Sequence, residues 1–160
     1  MIGIRGIKMS NQNTIFHNEL IGLISIMSIL RYQKKISLGK SMLIYPFYAH
    51  KNTLNVLKRK NIKIRSIEEL IVKYPSNFSN FNERFYSLLP VTINSIIILN
   101  RMKLINIRNG YLYLNEENSF DLMNDGLGKR VKDIVQASEK LNDILKEDTK
   151  NLYVQLRVRL

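Results

Sequence analysis

The chain has 160 residues, 45% of them hydrophobic and 24% charged, with a formal net charge of +12 and no cysteine. That composition suits one globular domain with a real core rather than a disordered chain, and it excludes disulfides, thiolate metal sites and a cysteine nucleophile. The charge is lopsided: residues 1–65 carry twelve Lys/Arg against the single acid Glu19, a net +11, whereas 66–160 carry thirteen against twelve, a net +1.

Met1–Ser10 mixes Ile, Gly, Arg and Lys and lacks the apolar core of a signal peptide. Ile2, Ile4 and Ile7 are possible anchors, and Met1–Asn13 is expected as an edge strand or a loose segment. Thr14–Gln33 reads as a helix, with Ile15, Phe16, Leu20, Leu23, Ile24, Met27 and Leu30 forming a wide stripe. Ile21, Ile26 and Ile29 fill much of the remaining surface, so this helix is expected at the centre of the core. Its longest near-apolar run, Leu20–Leu30, is about half of the ~20 residues that span a bilayer. A cytoplasmic chain without a membrane partner follows. His17, Asn18 and Glu19 are read as polar groups at a helix start rather than as metal ligands.

Arg31–Lys40 is basic and polar, with Gly39 marking a turn. Ser41–His50 is apolar and broken by Pro46, which ends or kinks a helix. Tyr45, Phe47 and Tyr48 have two readings, core packing or a recognition surface. With Pro46, His50 and Lys51 they make the candidate partner interface. Asn52–Lys60 reads as a short helix with Leu54, Val56 and Leu57 inside.

The helix runs into the basic segment Lys58–Arg65, where Ile62 and Ile64 alternate with Lys63 and Arg65 as in a brief strand. Lys58, Arg59, Lys60, Lys63 and Arg65 are the first candidates for phosphate contact, which brings affinity and salt dependence without sequence reading. The alternative is a solvated loop beside a helix C-terminus, where cations are favoured anyway.

Ser66-Ile67-Glu68-Glu69 is a capping box opening a helix that Pro75 stops. Phe81, Phe85 and Leu88 lie at helical spacing. Pro90 interrupts, Thr92 is a possible cap, and Ile93, Ile96, Ile97 and Leu104 mark another helix. Helices at 66–74, 80–89 and 91–103 are therefore expected. Leu104–Ile107 and Tyr111–Leu114 flank Asn109-Gly110, a strong hairpin signal. Helix, break, helix, hairpin is the order of a winged helix. The third helix would turn Asn94, Ser95, Asn100, Arg101 and Lys103 outward, and the wing tip offers Arg108.

Glu116–Gly128 is an acidic connector without calcium-loop spacing. Gly128–Glu147 is an amphipathic helix with Val131, Ile134, Val135, Leu141, Ile144 and Leu145 inward. Leu152–Leu160 alternates like a strand, with a helix as the other reading. The fold class expected is mainly α, a single domain over 1–160. It has a basic helical part (14–65), a winged-helix-like part with a β-hairpin wing (66–115) and a C-terminal amphipathic helix with tail (128–160).

No phosphate loop is present: Gly126-Leu127-Gly128-Lys129 lacks the spacing, the following Ser/Thr and a preceding strand. No Ser/His/Asp set can be argued from spacing. The expectation is a protein that is not an enzyme and takes no cofactor or metal.

Leu43-Ile44-Tyr45-Pro46-Phe47-Tyr48-Ala49-His50-Lys51-Asn52-Thr53 resembles the apolar-Pro-apolar-His-Lys-x-Thr signature of the middle components of ABC-three-component systems, the small subunits of Lamassu-type bacterial defence operons. Asn18 falls where that family often has Asn-Pro-Ala, although Glu19 and Leu20 follow it here. Phe81, Arg84, Leu88, Pro90 and Thr92 fit its F-x-x-R-x-x-x-L-x-P-x-T pattern, and Gly110 fits the wing. Gly128-Lys129-Arg130 and Leu156-Arg157-Val158 fit the late motifs. The likeness runs from about residue 14 to 158. It implies a non-catalytic subunit bridging an SMC-like ABC ATPase to an effector, often a nuclease, and restraining the effector until foreign DNA is sensed. It also implies that helices precede the C-terminal motif. The basic half would then touch DNA or an acidic partner face. The alternative function is a free winged-helix DNA-binding transcriptional regulator.

Overall fold

The computed structural model describes residues 3–118 and 120–160, with only the backbone described for 3–17. The expectations for Met1 and Ile2, and for the side chains of Ile4, Ile7, Ile15, Phe16 and His17, lie outside the described residues. The elements run α1 (Gly3–Gln33), β1 (Lys35–Ser37), α2 (Leu38–Ala49), α3 (Lys51–Leu57), α4 (Ile67–Lys73), α5 (Phe81–Arg101), β2 (Ile105–Arg108), β3 (Tyr111–Leu114), α6 (Lys129–Ile144) and α7 (Thr149–Gln155). The fold is mainly α with a β-hairpin wing, as the sequence leads one to expect.

Helix α1 is the hub of the core. Ile24, Ile26, Ile29 and Leu30 are fully buried, and the helix packs against α2, α5 and α6. It starts earlier than expected, because the backbone from Gly3 is helical rather than extended or loose. The hydroxyls of Ser25 and Ser28 bond back to the carbonyls of Ile21 and Ser25 at 2.7 Å each, so buried polar atoms on α1 stay satisfied inside the helix. Ser28 Oγ also lies 3.2 Å from the Tyr48 hydroxyl on α2.

The two internal prolines do not end their helices. In α2 the chain stays helical through Pro46 and Gly39, so Gly39 is not a turn. A proline inside a helix removes one hydrogen bond and costs about 3 kcal/mol. Here Leu43, Ile44, Tyr45, Phe47 and Tyr48 are all buried around it, and each large side chain contributes ~1.5–3 kcal/mol. The Pro46 carbonyl is taken by Arg84 Nε at 2.9 Å.

The same competition decides α5, a 21-residue helix with Pro90 inside. The expected pair of helices at 80–89 and 91–103 is one helix. Its buried face (Phe81, Phe85, Thr92, Ser95, Ile96 and Leu99) continues across the proline, which itself faces solvent. Thr92 is consequently no cap, since its hydroxyl donates back to the Leu88 carbonyl at 3.0 Å.

The hairpin forms as expected, with Arg108 opposite Tyr111 and left-handed backbone at Asn109 (φ 51°) and Gly110 (φ 76°). The sheet gains a third strand that the sequence did not announce. β1 pairs antiparallel with β3, giving the order β1-β3-β2. The C-terminal stretch 149–155 is helical, and its alternation does not produce a strand. Helix α6 buries Val131, Ile134, Leu141 and Ile144, as its spacing predicts. Among the described residues no helix is long and apolar enough to cross a membrane.

Candidate nucleic-acid and partner interface

The basic segment is positioned by α6. Asp133, Gln136 and Lys140 stand at positions i, i+3 and i+7 of that helix, and all three reach the end of α3. Lys58 Nζ pairs with Asp133 at 3.1 Å, with both side chains about three-quarters buried. Gln136 donates to the Lys58 carbonyl at 2.8 Å. Lys140 donates to the carbonyls of Leu57 (3.2 Å) and Arg59. The last turn of a helix carries unsatisfied carbonyls and partial negative charge, so an amide and an ammonium are well placed there. A signal for this clamp is present in the sequence only as the spacing of three polar residues on α6.

Beyond the clamp residues 63–65 are irregular and pair with no strand, so the expected brief strand is absent. The expected alternation survives. Ile62 is half-buried and Ile64 buried, while Lys63 and Arg65 face solvent. Arg59, Lys60, Lys63 and Arg65 are exposed, and none of them takes part in an ion pair among the described residues. With Tyr32, Gln136 and Asp143, three of these cations line an open cavity of about 630 Å³ between the segment and α6. Lys58 differs from them because its charge is already matched by Asp133.

The second basic group lies at the other candidate position. Arg101 and Lys103 are exposed where α5 ends, and Arg108 is exposed at the wing. Lys103 adopts φ 58°, and the Leu104 N–H reaches back to the Leu99 carbonyl at 3.0 Å, which closes the helix. No ion pair engages Arg101, Lys103 or Arg108 among the described residues. Ser95, expected to point outward, is instead fully buried, and its Oγ lies 3.0 Å from the Glu19 carbonyl. Asn94 is exposed but donates to Glu19 Oε1 at 3.0 Å. Ile93 and Ile97, expected in the inward stripe, are about 40% exposed. A groove-reading role for α5 therefore loses Ser95 and gains an apolar face instead.

The aromatic block resolves toward packing. Tyr45, Pro46, Phe47 and Tyr48 are buried, so they do not form a recognition surface on this chain. Phe47 sits at the centre of an aromatic cluster, 5.2 Å from the Phe81 ring and 6.0 Å from the Phe78 ring. Burial pushes the Tyr48 phenol far above its ordinary pKa. Lys51 is exposed. His50 caps α3: its Nδ1 accepts from the Thr53 N–H at 3.3 Å and lies 2.9 Å from Thr53 Oγ1. Partial burial, and then the nearby Arg84 guanidinium, hold the His50 pKa below its ordinary value.

Arg84 joins these parts. It donates to the carbonyls of Pro46 (2.9 Å) and Asn77 (3.0 Å) and to Asn80 Oδ1 (3.0 Å), and it lies over the Phe81 ring. Pro46, His50, Phe81 and Arg84, read from the sequence as motif residues, thus meet where α2 passes into α3 beside the start of α5, whereas Pro90 and Thr92 lie further along α5. The contacts they make are architectural. Among the described residues no three His, Asp or Glu side chains come together as a metal site.

No curated protein and no solved structure matches the chain. The family model of the ABC-three component system Middle Component 3 matches residues 22–160, from α1 to the last residue and including every motif just described. The chain belongs to that family of middle components of ABC-three-component systems.

Proposed function

We propose that this chain is a non-catalytic bridging subunit of a Lamassu-type bacterial defence complex. It links an SMC-like ABC ATPase to an effector, often a nuclease, and restrains that effector until foreign DNA is sensed. The observation that carries this reading is the family match over residues 22–160, since a middle component belongs to a multi-component assembly. Two surface features support it. The exposed apolar residues Tyr86, Ile93 and Ile97 on α5 offer a face for a partner. The unpaired cations Arg59, Lys60, Lys63 and Arg65 offer a non-specific contact to DNA held by the complex or to an acidic partner face. The chain acts in the cytoplasm as one domain over residues 1–160.

The test is co-expression with the neighbouring genes, tagged purification and native mass spectrometry. A stable complex with a large coiled-coil ATPase is the expected outcome. A homodimer that binds one DNA sequence tightly would favour the free winged-helix regulator instead. That alternative draws support from the hairpin wing and its Arg108. It is weakened by the continuous α5, since the break expected at Pro90 between a supporting helix and a recognition helix is absent.

A further inference from the structure

The outer face of the sheet carries an arrangement that the family motifs do not include. The pairing register sets Lys35 beside Tyr113 and Asn106, and Ser37 beside Tyr111 and Arg108. Strand alternation puts these six side chains on one side, while Ile36, Ile105 and Leu112 fill the core side. The outer six include two tyrosines, two cations and no acid. Lys35 Nζ lies 4.2 Å from the Tyr111 ring centre and 5.2 Å from that of Tyr113. The Arg108 guanidinium lies 4.6 Å from the Tyr113 ring centre. The two rings are 6.4 Å apart and tilted; Tyr111 is 39% exposed and Tyr113 is half-buried.

We infer that this face is a binding platform for single-stranded nucleic acid, with Tyr111 and Tyr113 stacking on bases and Lys35 and Arg108 meeting the phosphates. Every base has a flat apolar face, so exposed rings bind without regard to sequence, and adjacent cations supply the backbone contact. The cations now over the rings are held weakly at an exposed site. A base gains more from the same ring face, and the displaced Lys35 and Arg108 are then free for phosphate. A duplex does not fit this chemistry, because its bases present only their edges to a protein. An acidic protein face would use the cations and leave the rings idle. The inference does not depend on the bridging role, nor on the segment Lys58–Arg65.

Binding of the full chain to a labelled oligothymidylate, followed by fluorescence anisotropy at low salt, tests the inference. Tyr111→Ala and Tyr113→Ala are each expected to weaken binding by roughly tenfold. Tyr111→Phe and Tyr113→Phe keep the rings and should stay close to the unaltered protein. Lys35→Ala combined with Arg108→Ala should lower the salt slope by about 1.4, the release expected for two contacts on a single strand. Absence of binding by the unaltered protein would overturn the inference. So would alanine variants that bind normally, or phenylalanine variants as weak as the alanine ones. Equal binding of a duplex or of polyglutamate, unaffected by the tyrosine changes, would also overturn it and point to cation contacts alone.

Discussion

Gly22 and Ser95 stand so close that a Cβ built on Gly22 would lie 2.4 Å from the Ser95 Oγ. That hydroxyl is also 3.0 Å from the Glu19 carbonyl and 2.8 Å from the Val91 carbonyl, and it satisfies one of them at a time with its single proton. Gly22 therefore sets how closely α1 approaches α5. Alanine gains up to about 1 kcal/mol in helix propensity over glycine, whereas overpacking a filled interface costs about 1–3 kcal/mol. Gly22→Ala is expected to lower the melting temperature by a few degrees. Adding Ser95→Ala removes the Oγ clash and leaves a 3.3 Å contact with the remaining Cβ, so part of the loss should return. Additive losses in the double variant would show that the two residues are not coupled.

Arg84 is held by three acceptors on two separate segments, and a lysine cannot reproduce that fork. Arg84→Lys should leave at least one of the Pro46 and Asn77 carbonyls unpaired. The expected cost is about 2 kcal/mol, read from urea denaturation as a lower midpoint with an unchanged slope. A lysine variant as stable as the parent would mean that the guanidinium only decorates the junction.

His50 gives the chain a pH dependence of stability. Its folded pKa lies below the ordinary 6.5, through partial burial first and the Arg84 charge second. The unfolded chain then binds the proton more readily, so stability is complete above about pH 6.5 and falls as pH drops toward the folded pKa. The carboxylates with lowered pKa values, Glu68, Glu69 and Asp125, act in the same sense but below their ordinary 4.5 and 3.8. Thermal melts between about pH 7 and pH 5 should show a decline that His50→Asn, which keeps a capping acceptor, largely removes. An unchanged decline in that variant would assign it to other groups.

For the basic segment the pairing of Lys58 makes the expectation sharper. Replacing Arg59, Lys60, Lys63 and Arg65 with alanine should reduce the salt slope of duplex DNA binding by about 3.6 if the four meet phosphates. Lys58→Ala should barely change that slope and should instead lower stability, because it leaves Asp133 partly buried without its partner. A slope that survives the fourfold change removes the segment from DNA contact and leaves the acidic partner face as its use.

The sequence shows α1, α6 and the hairpin plainly because each rests on a strong local signal: a nearly all-apolar run, a 3.6-residue stripe, and Asn109-Gly110. It misleads at Pro46 and Pro90, where a local rule is outweighed by burial of residues on either side. It misses β1 because three residues with one inward side chain, Ile36, leave no pattern to read. The aromatics of the α2 block carry both readings in the sequence, core packing and a recognition surface, and burial favours packing. The cations of the candidate site are visible as charges in the chain, but which of them are already engaged is not. Asp133 is 75 residues from Lys58, and only folding brings the two together.

The unbroken α5 has a mechanical consequence. At one end Tyr86 donates to the Arg159 carbonyl and Asn82 accepts from the Arg159 N–H at 3.0 Å, so the C-terminal stretch is tied to the first turns of the helix. At the other end the helix leads within a few residues into β2 and the sheet. Twenty-one residues make a rod of about 31 Å, and a tilt of about 6° at one end displaces the other by roughly 3 Å. Because the helix continues through Pro90, one uninterrupted element links the C-terminal stretch to β2 and the sheet, so a displacement at either end of α5 has the length of that helix over which to act.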